Sequence, residues 1–205
     1  MPPKACPIKL NPSLLQQNRE KRKERKQAKI SNQNMRLQPG MILLKNFFKY
    51  NDQVEIIRQC QRLGVGSGGF YQPGYVDGAK LSLQMMCLGK NWDPLTSLYE
   101  DTRRVDGAKA PQIPDKDEGH ESLDRGLPVV SFSLGDTADF LYGDSGDLNK
   151  AKSIRLENGD VLIFGGHSRH IFHGVPCIHP STAPRWLVEE TGLRPGRLNL
   201  TFRQF

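Results

Sequence analysis

The closing stretch of the chain, residues 197–203, alternates polar and apolar side chains. Period-two geometry places the polar members on one face of a strand; these are Arg197, Asn199, Thr201 and Arg203. A polar strand face is often only the solvent side of a sheet. Two arginines without a nearby acidic residue, however, are what bidentate recognition of a carboxylate or phosphate requires. We therefore interpret this strand as a binding face for a small anion.

A histidine-containing segment precedes this strand. Residues 161–164 are a short apolar run bounded by glycines, which is typical of a buried strand. The chain then passes through His167, His170 and His173. The sequence thus predicts that a strand carrying imidazoles lies beside the anion-binding strand.

The positive charge of the chain is confined to its first forty residues. The whole chain carries a formal net charge of +7, whereas residues 1–40 contain 10 Lys or Arg against 2 Glu. The rest of the chain is therefore about neutral, which excludes a uniformly basic binding surface on the folded part. We expect a basic, disordered extension over residues 1–40, with a nuclear-targeting segment or a phosphate-binding arm as sharper alternatives.

Length and cysteine usage indicate the class of protein. A chain of 205 residues is sufficient for one domain with a substantial core. Its four cysteines lie far apart without a CxxC pair, so we expect reduced thiols rather than disulfides or a zinc knuckle. Neither a membrane-spanning run nor a signal peptide is evident. We expect a monomer inside the cell, in the nucleus and/or the cytoplasm.

Periodicity and turn signals predict many short strands and one clear helix. Strands are expected over residues 41–48, 81–88, 127–135, 138–143, 153–157 and 161–164, and a helix over residues 52–63. The strands over residues 127–135 and 138–143 are interpreted as one hairpin. Those over residues 153–157 and 161–164 are interpreted as another, around a type I′ turn at Asn158-Gly159. Residues 91–99 fit no regular element, and their Trp92 and Tyr99 are either a lid over a flat ligand or staples onto the sheet. The pattern favours an antiparallel sandwich or jelly roll.

Three segments carry a resemblance to a known family: LPVVSFSLGDTADFLYGD, ENGDVLIFGGHSRHIFHGV and RPGRLNLTFRQF, all between residues 127 and 205. With these segments the chain resembles the AlkB-like Fe(II)- and 2-oxoglutarate-dependent dioxygenases, especially the plant-type members. The resemblance implies a domain over residues 41–205, mainly β with flanking helices, and a double-stranded β-helix core. It also implies Fe(II) as cofactor, 2-oxoglutarate as cosubstrate, and oxidative removal of an N-alkyl group from a nucleobase of DNA or RNA.

The resemblance assigns roles to residues by position. His173 and Asp115 correspond to iron ligands of the family's 2-His-1-carboxylate set, which suits Fe(II). The cosubstrate is assigned to Arg197, Asn199 and Arg203. Contacts with the substrate base are assigned to Trp92, Tyr99 and Asp117, since a lid that holds a flipped base is the usual solution for chemistry on a stacked nucleobase.

The chain departs from the family where the first iron ligand belongs. The family has His-x-Asp, whereas Ile113 stands two residues before Asp115 here, and the segment that normally precedes the motif is missing. We interpret this as an internal deletion with a junction near residues 113–115, which leaves the core incomplete and impairs iron binding. His120 and His170 do not reproduce the missing spacing. The alternative is a catalytically inactive nucleic-acid-binding relative or a non-functional splice or gene-model variant.

Overall fold

A computed structural model describes residues 20–21, 34–74, 78–93, 95–96, 98–111, 127–193 and 196–203. Strands dominate these residues. They are β1 Asn34–Gln38, β2 Met41–Leu44, β3 Asn91–Asp93, β4 Leu98–Glu100, β5 Val129–Gly135, β6 Thr137–Gly143, β7 Lys152–Leu156, β8 Asp160–Phe164, β9 Phe172–His179 and β10 Arg197–Phe202. The α-helices are α1 Tyr50–Gly64 and α2 Arg185–Thr191, and 3-10 turns cover Leu148–Lys150 and Gly166–His170. None of the described helices is long and apolar enough to cross a membrane.

Two antiparallel sheets face each other and form the predicted jelly-roll core. The larger sheet has the order β1-β2-β8-β5-β10 and the smaller one the order β7-β6-β9. Because successive side chains of a strand point to opposite faces, every second side chain points toward the space between the sheets. The core therefore combines residues of the larger sheet, such as Met41 and Leu162, with residues of the smaller sheet, such as Phe140 and Leu156.

The two helices cover the outer face of the larger sheet. Val54 and Ile57 of α1 and Leu187 of α2 pack with Leu134 of β5 in a second buried cluster. The helix predicted over residues 52–63 is thus confirmed, and it begins two residues earlier and ends one residue later than predicted. The inner face of the larger sheet is apolar over β2 and β8, whereas toward β10 it carries the polar side chains of Ser131 and Ser133.

Both predicted hairpins are wrong, because each of them joins two strands that lie in different sheets. β5 pairs with β8 and β10, whereas β6 pairs with β7 and β9. The turn between β7 and β8 has a left-handed residue only at Gly159, with φ of +86°. A type I′ turn needs two such residues. The physical reason is that a turn crossing from one sheet to the other does not have to match the twist of a hairpin.

Three other expectations differ from the structure. β1 lies inside the segment assigned to the extension and pairs with β2 along its length, so the folded domain already includes residue 34. Residues 81–88 form no strand and contribute only isolated bridges, such as Tyr71 with Met85. Asn91–Asp93 and Leu98–Glu100, which showed no periodicity, pair with each other as the short strands β3 and β4 of a hairpin. Three-residue strands are too short for a period-two pattern to be recognised.

Each sheet ends in a strand that carries predicted site residues. β9 is the last strand of the smaller sheet and β10 the last of the larger sheet within the described residues. Seven of the eight residues of β9 are exposed, on both faces of the strand. Phe172 is 60% and Ile178 47% exposed, which is unusual for apolar side chains in a core sheet.

Candidate active site

A row of hydrogen-bonded polar side chains crosses the inner face of the larger sheet. Nη2 of Arg197 donates to Oγ of Ser133 at 2.9 Å and to Oδ1 of Asn199 at 3.0 Å. The hydroxyl of Ser131 donates to the same amide oxygen at 3.0 Å. β10 pairs with β5 so that Asn199 lies opposite Ser133. The row is thus fixed from both strands.

The guanidinium of Arg197 is ready to receive an anion. Its Nη1 is shielded from solvent and has no hydrogen-bond partner within the described part of the chain. Burial lowers the pKa of Arg197 to about 10, against a smaller opposing effect of Asp160. The side chain is therefore still a cation at neutral pH, but a poorly solvated one. A carboxylate bound to Nη1 would supply the missing hydrogen bond and the missing counter-charge.

Arg203 links the end of β10 to the β3–β4 hairpin. Its Nη1 donates to the hydroxyl of Tyr99 at 3.0 Å, and its guanidinium carbon lies 5.6 Å from the centre of the Trp92 ring. Trp92 and Tyr99 are opposite each other in the hairpin, with ring centres 4.9 Å apart. Nε of Arg203 is buried without a partner among the described residues. The two predicted substrate residues are therefore in contact with a predicted cosubstrate residue.

Trp92 also lines a small cavity. The lining includes Tyr71, Asn91, Asp93 and the segment 102–105. Asp93 is buried and accepts two hydrogen bonds from Arg104, at 2.6 and 3.3 Å. The hydrogen bond from Arg104 holds the pKa of Asp93 below its usual range, and bonds from the backbone add to the effect. This ion pair fixes the hairpin that presents Trp92.

Arg169 is a site residue that the sequence analysis did not single out. Its Nε is buried and has no partner among the residues described. Burial lowers the pKa of Arg169, and the like charge of Arg203 adds to that effect. Two arginines that repel each other while both have unpartnered N–H groups indicate an anion-binding environment. The signal available in the sequence was only the Ser-Arg-His triplet before β9, which has no periodicity.

His173 lies on the inner face of β9, opposite Tyr142 of β6. Its ring stacks on Phe140 at 5.7 Å and meets Phe164 edge-on at 5.2 Å. Nδ1 is 3.0 Å from the carbonyl oxygen of Ile171, which can only accept, so we assign the proton of the neutral imidazole to Nδ1. Nε2 is left with a free lone pair, which is the form in which imidazole ligates a metal.

The remaining predicted residues divide into two groups. Asp115, Asp117, Ile113 and His120 lie outside the described residues, so the structure leaves their roles as predictions. His167 and His170 are exposed on the 3-10 turn Gly166–His170 that precedes β9. The described residues thus bring together the anion-binding row and the aromatic pair, with His173 on the facing sheet.

Comparison with known proteins shows to which family this chain belongs. The family model described as the 2OG-Fe(II) oxygenase superfamily matches residues 115–203. The solved structure of OsALKBH1 matches with a TM-score of 0.76 and 53% identity, covering 84% of this chain and 100% of that chain. This chain is a member of the AlkB-like family of 2-oxoglutarate- and Fe(II)-dependent oxygenases. The resemblance inferred from the three segments is confirmed, as is the jelly-roll fold.

Two curated relatives show the range of the family. The DNA N(6)-methyladenine demethylase ALKBH1C of Arabidopsis thaliana is 47% identical, over 97% of this chain and 54% of the relative. The tRNA demethylase abh1 of Schizosaccharomyces pombe is 37% identical, over 43% of this chain and 30% of the relative. The chain spans about half the length of the Arabidopsis relative. That alignment runs over 252 positions and this chain has 205 residues, so at least 47 aligned positions have no counterpart here.

Family membership implies Fe(II) as cofactor and 2-oxoglutarate as cosubstrate. The residues present fit the cosubstrate, because Arg197 and Arg203 both offer buried N–H groups without partners among the described residues. The residues present fit iron only in part, because His173 offers Nε2 of its imidazole as one ligand atom. Its prospective partners lie in the segment 112–126, outside the described residues.

Proposed function

We propose that this chain is an oxidative nucleobase demethylase by descent, which retains the 2-oxoglutarate half of its site and has an impaired iron half. The observation that carries the proposal is the buried, unpartnered Nη1 of Arg197. A guanidinium held in a fixed hydrogen-bonded row and lacking one partner is built for a carboxylate. The substrate class, a methylated base of DNA or RNA, follows from what the demethylase relatives act on.

In this proposal the protein's own residues bind and orient. Bound Fe(II) would let dioxygen act as the oxidant: one oxygen atom would hydroxylate the N-alkyl group, which then leaves as an aldehyde, and the other would convert 2-oxoglutarate to succinate and carbon dioxide. Arg197 binds one carboxylate of the cosubstrate, and Asn199 and Ser133 keep its guanidinium from rotating. Trp92 and Tyr99 stack against the extruded base, and Arg203 fixes their position relative to β10.

Two observations support the impairment of the iron half. The sequence has Ile113 where the His of a His-x-Asp pair is required, and an aliphatic side chain cannot ligate a metal. The positions that the Arabidopsis relative has and this chain lacks are numerous enough for two strands and their connections. Among the described residues, β9 and β10 each form one edge of their sheet, with β7 and β1 at the opposite edges. A deletion that removed the neighbours of β9 and β10 would leave them at such edges.

The test separates cosubstrate binding from turnover. We expect purified protein to bind 2-oxoglutarate in isothermal titration, and to form little succinate with Fe(II) and an oligonucleotide that contains N6-methyladenine. The same assay with a methylated tRNA fragment distinguishes the two classes of nucleic acid. Robust succinate formation would show that the iron half is intact, and an absence of 2-oxoglutarate binding would remove the basis of the proposal.

The basic extension is the segment through which we expect the protein to bind nucleic acid or to be directed to the nucleus. Clustered Lys and Arg recruit polyanions in a salt-dependent manner. We expect a full-length variant with Gln at the five basic positions of residues 21–26 to bind oligonucleotides more weakly and with a smaller salt dependence. If the run is instead a nuclear-targeting segment, a fluorescent fusion of this variant leaves the nucleus while its oligonucleotide affinity stays unchanged.

A further inference from the structure

Three side chains with different metal-binding atoms lie together on the outer face of the smaller sheet. Asp139 of β6 is directly opposite Cys177 of β9, and His179 follows Cys177 by two residues. Period two puts these three side chains on the same face. The register shift between Asp139 and Leu141 reverses the faces along β9, so His173, opposite Tyr142, lies on the other face. One carboxylate oxygen, one thiol sulfur and one imidazole nitrogen lie within 4.8 Å of one another.

An unsatisfied imidazole nitrogen points to a missing ligand at this position. Nε2 of His179 is shielded from solvent and makes no hydrogen bond to another described residue. It lies 3.0 Å from Oδ2 of Asp139, a distance at which the two side chains form an ion pair if the imidazole is protonated. A cation bound to both atoms would satisfy them together, whereas a buried polar atom without a partner is costly.

The backbone around His179 is anchored in place. The carbonyl oxygen of His179 accepts from the hydroxyl of Thr182 at 2.7 Å, and that hydroxyl oxygen accepts from the backbone N–H of Thr137 at 2.8 Å. The buried carboxylate of Asp136 accepts from the backbone N–H groups of Thr182 and Ala183. This end of β9 is therefore tied to the start of β6, which reduces the entropy lost when a ligand binds.

We propose that Asp139, Cys177 and His179 bind one Zn²⁺, with the fourth position open to solvent. Thiolate, imidazole and carboxylate are the ligands that zinc takes in proteins. Zinc bonds of about 2.0–2.3 Å place tetrahedral ligands about 3.3–3.7 Å apart, so closure of the site needs shifts on the order of 1 Å. The thiol of Cys177 is free and exposed, and its hydrogen bond to the Ile178 carbonyl is long, at 3.7 Å.

One neighbouring cation opposes the proposed ion. Nε of Arg155 lies 3.7 Å from Oδ1 of Asp139, the carboxylate oxygen that does not face His179. The Arg155 side chain is 70% exposed, so it can turn into solvent when a metal binds. The bound ion would cross-link β9 to β6 and thereby stabilise the edge strand on which His173 lies.

The experiment measures binding of Zn²⁺ and Co²⁺ to the reduced full-length protein. We expect one zinc ion to bind outside the iron half, and its affinity to fall at least about tenfold in Cys177→Ser and in His179→Asn, since even indirect partners of a metal commonly contribute that factor. With Co²⁺ we expect a thiolate-to-cobalt charge-transfer band, which disappears in Cys177→Ser. Zinc should also raise the melting temperature of the parent and not of this variant.

Matched variants separate this site from the iron half and from chance binding. Cys87→Ser and His170→Asn change residues of the same types elsewhere, and His173→Ala removes the iron ligand candidate. All three should retain the zinc affinity and the cobalt band. The proposal is overturned if Cys177→Ser binds zinc as the parent does, which would indicate an adventitious ion only. Loss of zinc binding in His173→Ala alone would overturn it as well.

Discussion

The two strands that carry the candidate active site, β10 and β9, are supported in very different ways. The polar side chains of β10 are held by hydrogen bonds from Ser131 and Ser133, and helices cover the other face of their sheet. β9 is exposed on both faces for nearly its whole length. His173 is held there mainly by the rings of Phe140 and Phe164. The anion-binding half is thus preorganised, while the metal-binding half depends on core packing alone.

This difference determines which half of the site keeps its geometry when neighbouring structure is lost. A site whose side chains are fixed within one paired sheet keeps its geometry when a further strand is absent. A single ligand on an uncovered edge strand does not keep its partners. We therefore expect mutations in the metal-binding half to leave cosubstrate binding largely unchanged.

The largest effect is expected from Arg197→Met. Removing the guanidinium takes away the charge and the buried N–H group that a carboxylate would bind, so 2-oxoglutarate affinity should fall on the order of a hundredfold. Isothermal titration measures the change. Arg185→Met, at a side chain 91% exposed on α2, is the matched control and should bind like the parent. Equal affinity of the parent and Arg197→Met would place the anion elsewhere.

A smaller effect is expected from pH. Burial lowers the pKa of Arg197 to about 10, and only the protonated guanidinium attracts a carboxylate. Affinity for 2-oxoglutarate should therefore be constant below that pH and fall as the pH rises through it, by about tenfold for each further unit. Circular dichroism at each pH checks that the protein stays folded. A decline that begins near neutral pH would assign the effect to another group.

The anion-binding half was predictable from the sequence because its signal is local. Period two in residues 197–203 is enough to put Arg197 and Asn199 on one face, and the structure shows them hydrogen-bonded. Ser131 and Ser133 could have been found in the same way, since they interrupt an apolar strand at a spacing of two. Arg169 could not, because its proximity to Arg203 depends on how the turn before β9 packs.

Strand pairing was not predictable, because it depends on contacts that are distant in sequence. The turns at Gly135 and Gly159 are typical of hairpins, yet each connects strands of opposite sheets. At Gly135, with φ of +88°, a Cβ would collide with the carbonyl oxygen of Gly196. The glycine is thus required by the approach of β10 rather than by a hairpin. The Asp139–Cys177–His179 cluster was missed for the same reason.

A modest effect is expected from Ser133→Ala. The hydroxyl of Ser133 accepts one hydrogen bond from Arg197 and orients the guanidinium, and a bond of this kind contributes about 1 kcal/mol. We expect 2-oxoglutarate affinity to fall roughly fivefold without a change in the urea midpoint of unfolding. Ser153→Ala, on the exposed strand β7, is the control. An unchanged affinity would mean that the row of hydrogen bonds does not preorganise Arg197.

The smallest effect on cosubstrate binding is expected from Phe140→Leu, which completes the contrast between the two strands. The ring of Phe140 supports His173 and fills the core between the sheets, so its replacement should lower the free energy of unfolding by about 1 kcal/mol. Urea titration measures this loss. Because Arg197 and Asn199 take their support from β5 instead, 2-oxoglutarate affinity should stay within about twofold of the parent. Ser133→Ala and Phe140→Leu should therefore have opposite profiles, one weakening binding and the other stability. A joint loss of both properties in Phe140→Leu would show that the two halves of the site are coupled through the core.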